Sequence, residues 1–274
     1  MTLDGSCARV VGVGDYDYGV AAGIAITREV SAALGACELT HLPRAPIDVD
    51  LARAQHREYE QALRDAGYQV EHLDASGDMP DSVFVEDIAV VFDELAIITR
   101  PGATSRRVET PAVAAVLARH RPLHVIQAPG TADGGDVLVA GRHVFVGLST
   151  RTNDHALGQM ARVLQPYGYK VRGVRVRECL HLKSAVTALS DDLLLVNPAW
   201  IDRDAFDGFT MVEVDAGEPA AANALRLDDR ILCSASFART AARLERRGLR
   251  VERIATSEVA KAEGAMTCCS LILK

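Results

Sequence analysis

The sequence of 274 residues lacks the features that mark membrane and nucleic-acid-binding proteins. No apolar run approaches the ~20 residues that are needed to cross a bilayer, and the first 20 residues contain no apolar core of a secretory signal. The net charge is −7, and no basic cluster exceeds the pairs Arg106–Arg107 and Arg246–Arg247, so no phosphate-binding face is expected. We therefore predict a cytoplasmic protein that binds neither membranes nor nucleic acid.

Cofactor and metal motifs are missing as well. The sequence has no CxxC, HExxH or GxxxxGKS/T pattern, and its early glycine-rich stretch VGVGDYDYG does not have the GxGxxG spacing. Six cysteines are present, and we expect them to remain thiols in a reducing compartment. The sequence thus predicts no metal and no organic cofactor.

A repeated unit organises what is present. Two strands around a turn, a helical segment and a third strand recur within residues 88–127, 136–176, 184–214 and 222–254. In the first of these units, for example, the strands IAVVF and LAIIT flank Asp93–Glu94, and the helical pattern ETPAVAAVLARH precedes the strand LHVIQ. We number these units one to four in chain order.

A fifth unit is predicted to be split between the two ends of the chain. TCCSLIL at 267–273 supplies its first strand, IAITREV at 24–30 its second, and a helix near 50–66 and the strand YQVEHL at 68–73 complete it. Pairing the first and last strands of the chain closes a ring and removes open sheet edges. The predicted fold is therefore a five-bladed α/β propeller of ββαβ units over residues 21–274, with residues 1–20 an unplaced leader. A three-layer α/β sheet remains the alternative.

Equivalent positions in such a ring face the same end of its axis. The segments just ahead of the first strands carry Glu86–Asp87, Asp133, His181 and Cys268, so a thiol, an imidazole and several carboxylates are expected in one pocket. A thiol, an imidazole and a carboxylate are the minimum set for thiol nucleophilic catalysis. Taken singly, each of these residues could have a purely structural role, since buried cysteines are usually core residues and acidic loops are usually solvated.

The surplus of carboxylates indicates the charge of the substrate. Glu86 and Asp87, with Asp81 nearby, would repel anions and hold a planar cation by paired hydrogen bonds, which suits a guanidinium group. Such a cation would also lower the pKa of a neighbouring thiol and so produce thiolate when it is needed.

At this point the sequence resembles a known family. The segments PDSVFVEDIAVV, ITRPGATSRR, TADGGDVL, FVGLSTRTN, CLHLKS and GAMTCCSLIL are similar, in that order, to those of the dimethylarginine dimethylaminohydrolases. The resemblance runs from about residue 24 to the C-terminus. It implies the five-bladed fold known as the pentein fold, and hydrolysis of Nω-methylated L-arginine to L-citrulline and dimethylamine or methylamine through a covalent thiouronium intermediate, without a cofactor.

The resemblance also implies a role for each matching residue. Cys268 becomes the nucleophile, His181 the general acid and base, and Asp133 the carboxylate that orients His181. Residues implied in substrate binding are Asp87 and Glu86 for the guanidinium group, Asp81 for the α-amino group, Arg100 and Arg151 for the α-carboxylate, and Leu39 at the tip of a lid over residues 34–46.

Other functions remain open at this stage. Arginine deiminases use similar chemistry, but their histidine motif reads HLD, whereas Lys183 follows Leu182 here. An arginine deiminase or a similar hydrolase of another guanidine, and a non-catalytic protein that binds arginine derivatives, are the alternatives. The expected partner is a small molecule, and the expected state is a monomer or a homodimer.

Overall fold

Alternation of buried and exposed residues produces short strands along the whole chain. The structure is a computed structural model that describes residues 22–75 and 78–274. Within these residues, fifteen strands are present: β1 Gly23–Arg28, β2 Tyr68–Leu73, β3 Ala89–Val91, β4 Ala96–Ile98, β5 Leu123–Val125, β6 Val137–Ala140, β7 His143–Leu148, β8 Lys170–Arg175, β9 Val186–Ala188, β10 Leu193–Val196, β11 Thr210–Glu213, β12 Leu225–Leu227, β13 Arg230–Ser234, β14 Arg250–Ile254 and β15 Leu271–Leu273.

Amphipathic segments between the strands form helices. The same described residues contain six α-helices: α1 Val49–Asp65, α2 Thr110–Leu117, α3 Asp154–Leu164, α4 Leu182–Ala185, α5 Ala238–Glu245 and α6 Ser257–Ala260. Side chains cap the two longest helices, because Asp48 accepts from the backbone N–H of Leu51 in α1 and Asn153 from that of Ala156 in α3. Such a cap satisfies a backbone donor that has no partner inside the helix.

The strands form five separate sheets of three strands each. Their orders are β15-β1-β2, β3-β4-β5, β6-β7-β8, β9-β10-β11 and β12-β13-β14. In every sheet, the first strand of the unit pairs antiparallel with the second, and the second pairs parallel with the third. A crossover segment joins the two parallel strands, as parallel pairing requires.

The five sheets surround a common axis. One cavity of about 510 Å³, which we call the axial cavity, is lined by residues from the first strand of every unit. Apolar clusters fill the space between each sheet and its neighbours; Ile88, Leu95, Leu194 and Phe206 are among their fully buried members. The five-unit propeller is confirmed, including the unit built from both chain ends, and the single three-layer sheet is excluded.

Two predicted elements differ in detail. The strand expected over 267–273 begins only at Leu271, because Thr267–Cys269 forms a 3-10 turn. In unit three the predicted short helix is a 3-10 turn over Arg203–Phe206. Within the described part of the chain, no helix is long and apolar enough to span a bilayer. The predicted leader 1–20 lies outside the described residues.

Candidate active site

Short helical turns ahead of the first strands bring the predicted site residues together. Asp87 lies in the 3-10 turn Val85–Ile88 and Cys268 in the turn Thr267–Cys269, while Asp133 and His181 occupy the N-cap positions of the next two turns. These four side chains line one pocket of about 20 Å³, which we call the central pocket. Four residues that are far apart in sequence therefore meet at one end of the ring.

Two adjacent glycines allow these turns to approach closely. A Cβ atom on Gly134 would lie 1.9 Å from the carbonyl oxygen of Glu86, and one on Gly135 would lie 2.6 Å from Nδ1 of His181. Only a residue without a side chain fits such spaces. Within the Gly-Gly pair, which reads as a turn in the sequence, Gly134 thus packs against the backbone of the Glu86 turn and Gly135 against the His181 ring.

Asp133 fixes the orientation of His181. Nε2 of His181 lies 3.1 Å from Oδ2 of Asp133, and the other oxygen of Asp133 accepts from the backbone N–H of Gly102 at 2.9 Å. Burial lowers the pKa of His181, but the negative charge of Asp87 and the hydrogen bond to Asp133 outweigh it and raise this pKa to about 9. His181 is therefore an imidazolium at neutral pH and can donate a proton.

Asp87 lies on the other side of the His181 ring. Its Oδ1 accepts from the backbone N–H of Gly135 at 3.1 Å and lies 3.8 Å from Nδ1 of His181, and its Oδ2 accepts from Nη1 of Arg106 at 2.5 Å. Burial raises the pKa of Asp87, but the charges of His181 and Arg106 more than offset this, so the pKa is lowered. Asp87 is thus a buried carboxylate with fixed geometry.

Cys268 faces the central pocket, whereas its neighbour does not. Burial and the charges of Glu86 and Asp87 raise the pKa of Cys268 well above its ordinary value, so the resting side chain is a thiol. Cys269 instead lines a separate small space next to Tyr59. The five cysteines of the described residues are all free thiols, as the sequence predicts for them.

One group of described residues also has the spacing of a metal site. Asp87, Asp133 and His181 each offer a ligand atom, and these atoms lie within 4.8 Å of one another. The same atoms already serve the hydrogen bonds and the charge pairing of His181. A metal ion bound by these atoms would therefore have to displace a proton from the His181 imidazolium.

Known proteins share this architecture and much of this sequence. The family model described as "N,N dimethylarginine dimethylhydrolase, eukaryotic" matches residues 44–215. The N(G),N(G)-dimethylarginine dimethylaminohydrolase of Streptomyces coelicolor is 39% identical over 91% of this chain and 96% of its own length. The enzyme of that name from Pseudomonas aeruginosa is 37% identical over 81% of this chain and 89% of its own length. The chain belongs to the dimethylarginine dimethylaminohydrolase family.

Solved structures of the family extend the match to three dimensions. The adduct of a histidine-to-glycine variant of dimethylarginine dimethylaminohydrolase with S-methyl-L-thiocitrulline superposes with a TM-score of 0.87 at 33% identity, over 92% of this chain and 99% of that one. A cysteine-to-serine variant of the Pseudomonas aeruginosa enzyme in complex with citrulline gives a TM-score of 0.85 at the same identity and the same coverage of both chains. The N-terminal domain of ArgZ, an arginine dihydrolase of cyanobacteria, shares the fold, with a TM-score of 0.80 at 18% identity over 92% of this chain and 98% of that one.

The structure places Glu86 outside the central pocket, unlike the position expected for a residue that binds the guanidinium group. Its carboxylate points away from the central pocket and lines the axial cavity, where it accepts from Nζ of Lys183 at 2.5 Å and from Oγ1 of Thr267 at 2.8 Å. Successive residues of a 3-10 turn project about 120° apart, so Glu86 and its neighbour Asp87 face different sides. Glu86 therefore stabilises the floor of the site rather than contacting the pocket.

Arg100 is the second residue that the structure places elsewhere. Its guanidinium group donates to the carbonyl oxygen of Gly130 at 3.3 Å, and it does not line the central pocket. Arg106 lines the pocket instead; besides Asp87 it binds both oxygens of Glu109 at 3.1 and 2.9 Å. Arg106 belongs to the quoted motif ITRPGATSRR, but the motif alone does not say which of its arginines faces inward.

Arg151 and Asp81 do line the pocket, and both also contact the lid. Nη2 of Arg151 donates to Oγ1 of Thr40 at 3.1 Å, and the carboxylate of Asp81 accepts from the backbone N–H of Glu38 at 3.2 Å. Burial raises the pKa of Asp81 to about 6. Leu39, the predicted tip of the lid, packs against the apolar core of unit five, so that Glu38 lines the pocket in its place.

The lid is closed and is held by Glu263. Its carboxylate accepts from three consecutive backbone N–H groups, those of Thr40 at 3.0 Å and of His41 and Leu42 at 2.5 Å each. A pocket of about 20 Å³ has room for about one water molecule, so a ligand of the size of arginine enters only after the lid moves.

Proposed function

We propose that this protein hydrolyses Nω-methylated L-arginine to L-citrulline and dimethylamine or methylamine, with Cys268 as the nucleophile. The observation that carries the proposal is one pocket in which Cys268, the His181–Asp133 pair and Asp87 line the same space, in a chain of this family. A cytoplasmic location and a monomeric or homodimeric state stay predictions from the sequence.

Substrate binding follows from the charges of the pocket. The guanidinium group pairs with Asp87, whose Oδ1 has room for a second hydrogen bond besides the one from Gly135. Asp81, which lines the same pocket, receives the α-amino group. The α-carboxylate meets Arg151, and Arg106 supplies the second positive charge there, in place of Arg100.

Binding of the cation generates the nucleophile. Burial and the negative charges of Glu86 and Asp87 disfavour the thiolate of Cys268, and the substrate guanidinium brings a positive charge that offsets them. The thiol then loses its proton to solvent. A thiolate and the His181 imidazolium now lie on either side of the substrate carbon.

The first half of the reaction displaces the amine. The thiolate of Cys268 attacks the guanidinium carbon, and a C–S bond forms. His181 gives its proton to the methylated nitrogen, the C–N bond breaks, and neutral dimethylamine leaves. A cationic thiouronium group remains on Cys268.

The second half hydrolyses the thiouronium group. His181, now neutral, takes a proton from water while the oxygen attacks the same carbon. The tetrahedral species expels the thiolate of Cys268 and loses one further proton, so that the ureido group of citrulline is formed. Reprotonation of Cys268 restores the resting thiol.

Production of citrulline tests this function. Purified protein is incubated with asymmetric dimethylarginine, monomethylarginine and arginine in parallel, and citrulline and the released amine are measured. We expect citrulline and dimethylamine in a 1:1 ratio from dimethylarginine. Citrulline and ammonia from arginine, with no turnover of the methylated substrates, would point to an arginine deiminase, and binding without any turnover would contradict an enzymatic role.

A further inference from the structure

Unit four holds none of the predicted site residues, yet it contributes one buried amide to the floor of the site. Asn223 lies two residues before β12, as Asp87 lies two residues before β3, and its side chain is only 4% exposed. No catalytic chemistry is expected from a carboxamide in this position. Its hydrogen bonds show what it does instead.

Asn223 connects the segments that carry the two reacting side chains. Its Oδ1 accepts from the backbone N–H of Thr267 at 2.9 Å, and Nδ2 donates to Oγ1 of Thr267 at 3.0 Å. Nδ2 also donates to the carbonyl oxygen of Lys183 at 3.0 Å. Thr267 directly precedes Cys268, and Lys183 follows His181 by two residues.

All the principal bonding capacity of this amide is used within the protein. A carboxamide has two N–H donors and one carbonyl oxygen, and each makes a hydrogen bond of 2.9 or 3.0 Å here. Glu86 ties the same two segments from the other side, through Lys183 Nζ and Thr267 Oγ1. Thr267 and Lys183 thus belong to one closed and largely buried network of hydrogen bonds with Asn223 and Glu86.

Local secondary structure alone does not hold Cys268 in place. Thr267–Cys269 is a 3-10 turn of three residues, and the backbone N–H of Cys268 bonds only to the carbonyl oxygen of Ala265 at 3.2 Å. Reacting groups must be held within about 0.5 Å of their productive geometry, which a single turn does not achieve by itself. The link through Asn223 supplies the missing constraint.

We propose that Asn223 is a positioning residue that fixes the Cys268 turn relative to His181. This role rests on the proposed function, in which these two side chains act on the same substrate carbon. Asn223 contacts neither side chain directly and does not line the central pocket, so it acts through Thr267 and Lys183.

The test compares Asn223→Ala with Asn197→Ala. Asn197 is also 4% exposed and hydrogen-bonded through its side chain, with Nδ2 on the carbonyl oxygen of Pro219 and Oδ1 on the N–H of Ala199. Its side chain bonds to no residue of the Cys268 or His181 segments, and the one bond to the His181 segment, from its backbone N–H to the carbonyl oxygen of Ala185, is kept in the alanine variant. We expect Asn223→Ala to lower kcat for dimethylarginine by ~10- to 100-fold, with KM within about threefold of wild type, because a misplacement of about 1 Å costs ~10²-fold in rate. Asn197→Ala should keep kcat within about twofold while losing similar thermal stability.

Two further measurements separate positioning from general damage. Thr267→Val removes the hydroxyl that Asn223 binds, and the Asn223→Ala/Thr267→Val double variant should lose little more kcat than the worse single variant, because both act on one network. Multiplicative losses in the double variant would contradict the shared link.

The rate at which iodoacetamide alkylates Cys268, followed by mass spectrometry, tests the positioning of this residue independently of turnover. Asn223→Ala should change the alkylation rate of Cys268 several-fold, and Asn197→Ala should not. If the wild-type protein made no citrulline, the proposed function would fail, but this readout would still test the link. Equal kcat and equal alkylation rates in Asn223→Ala and wild type would overturn the proposal.

Discussion

Replacement of Gly135 by alanine tests whether the position of His181 governs the reaction. The new Cβ would lie 2.6 Å from Nδ1 of His181 and 2.8 Å from Oδ1 of Asp87, about 0.8 Å inside an ordinary contact of 3.4 Å with the imidazole. The ring is buried, so it must shift by a comparable distance. A shift of this size predicts a loss of about 10²-fold in kcat, since a misplacement of ~1 Å costs that much. Overpacking of this kind costs about 1–3 kcal/mol in the free energy of unfolding, which a folded domain survives.

Gly158→Ala is the matched control for this substitution. Gly158 lies inside helix α3, and the nearest atom to its added Cβ is Nη1 of Arg162 at 3.6 Å. Alanine is favoured over glycine in a helix by about 0.5–1 kcal/mol, so this variant should be as stable as wild type or more so, with unchanged kcat. Citrulline assays and thermal unfolding of both variants are the measurements. If Gly135→Ala stayed folded and kept more than half of the wild-type kcat, the argument from His181 placement would be wrong.

The remaining predictions concern the thiol, the proton donor and the lid. Cys268→Ala should abolish citrulline formation and Cys269→Ala should retain most of it, because only the first thiol faces the pocket; the reverse result would identify the other thiol as the nucleophile. Since the pKa of His181 is raised to about 9, kcat/KM should fall above about pH 9. Asp133→Asn should move this fall in kcat/KM to lower pH, and an unchanged pH profile would contradict the role of Asp133 in raising the pKa of His181. For the same reason, the stability that His181 contributes should be complete below its ordinary pKa of 6.5 and be lost as the pH rises to about 9, which urea unfolding across this range measures. Glu263→Gln removes the charge that holds the three lid N–H groups, so iodoacetamide should reach Cys268 several-fold faster, and an unchanged rate would exclude this role.

The repeated units could be predicted from sequence because each carries its own local signals. In unit two, for instance, alternating apolar residues predict β6 and β7, and Asn153 ahead of an amphipathic stretch predicts the start of α3. The split fifth unit follows from counting, since the ends of the chain supply the strands that close the ring. Both inferences need only periodicity and order.

The orientation of neighbouring side chains could not be predicted in this way. Glu86 and Asp87 are chemically alike and adjacent, and a 3-10 turn sends one to the axial cavity and the other to the central pocket. Arg100 and Arg106 share one motif, and the choice between them depends on the turn Thr104–Glu109, which places Arg106 beside Glu109 three residues later. These differences arise from backbone geometry that the residue types do not specify.

Asn223 illustrates a second kind of missed residue. Its type carries no reactive group, and ANALRL indicates only the start of a strand. Its importance comes from partners that are 40 and 44 residues away in sequence, Lys183 and Thr267, which come together only when the ring closes. The signal that points to it is the ring itself, because every other unit places a site residue ahead of its first strand.

The resting state of the site explains how an acidic pocket can contain a nucleophilic thiol. Burial and the charges of Glu86 and Asp87 keep Cys268 protonated while the lid is closed, so the side chain is a weak nucleophile that reacts slowly when no substrate is present. A guanidinium group is the right ligand to change this, because it adds one positive charge next to the carboxylates that disfavour the thiolate. The ureido group of the product is neutral and removes that charge again, which returns Cys268 to the thiol. Asp87, which is proposed to bind the cation, thus also makes formation of the nucleophile depend on the presence of that cation.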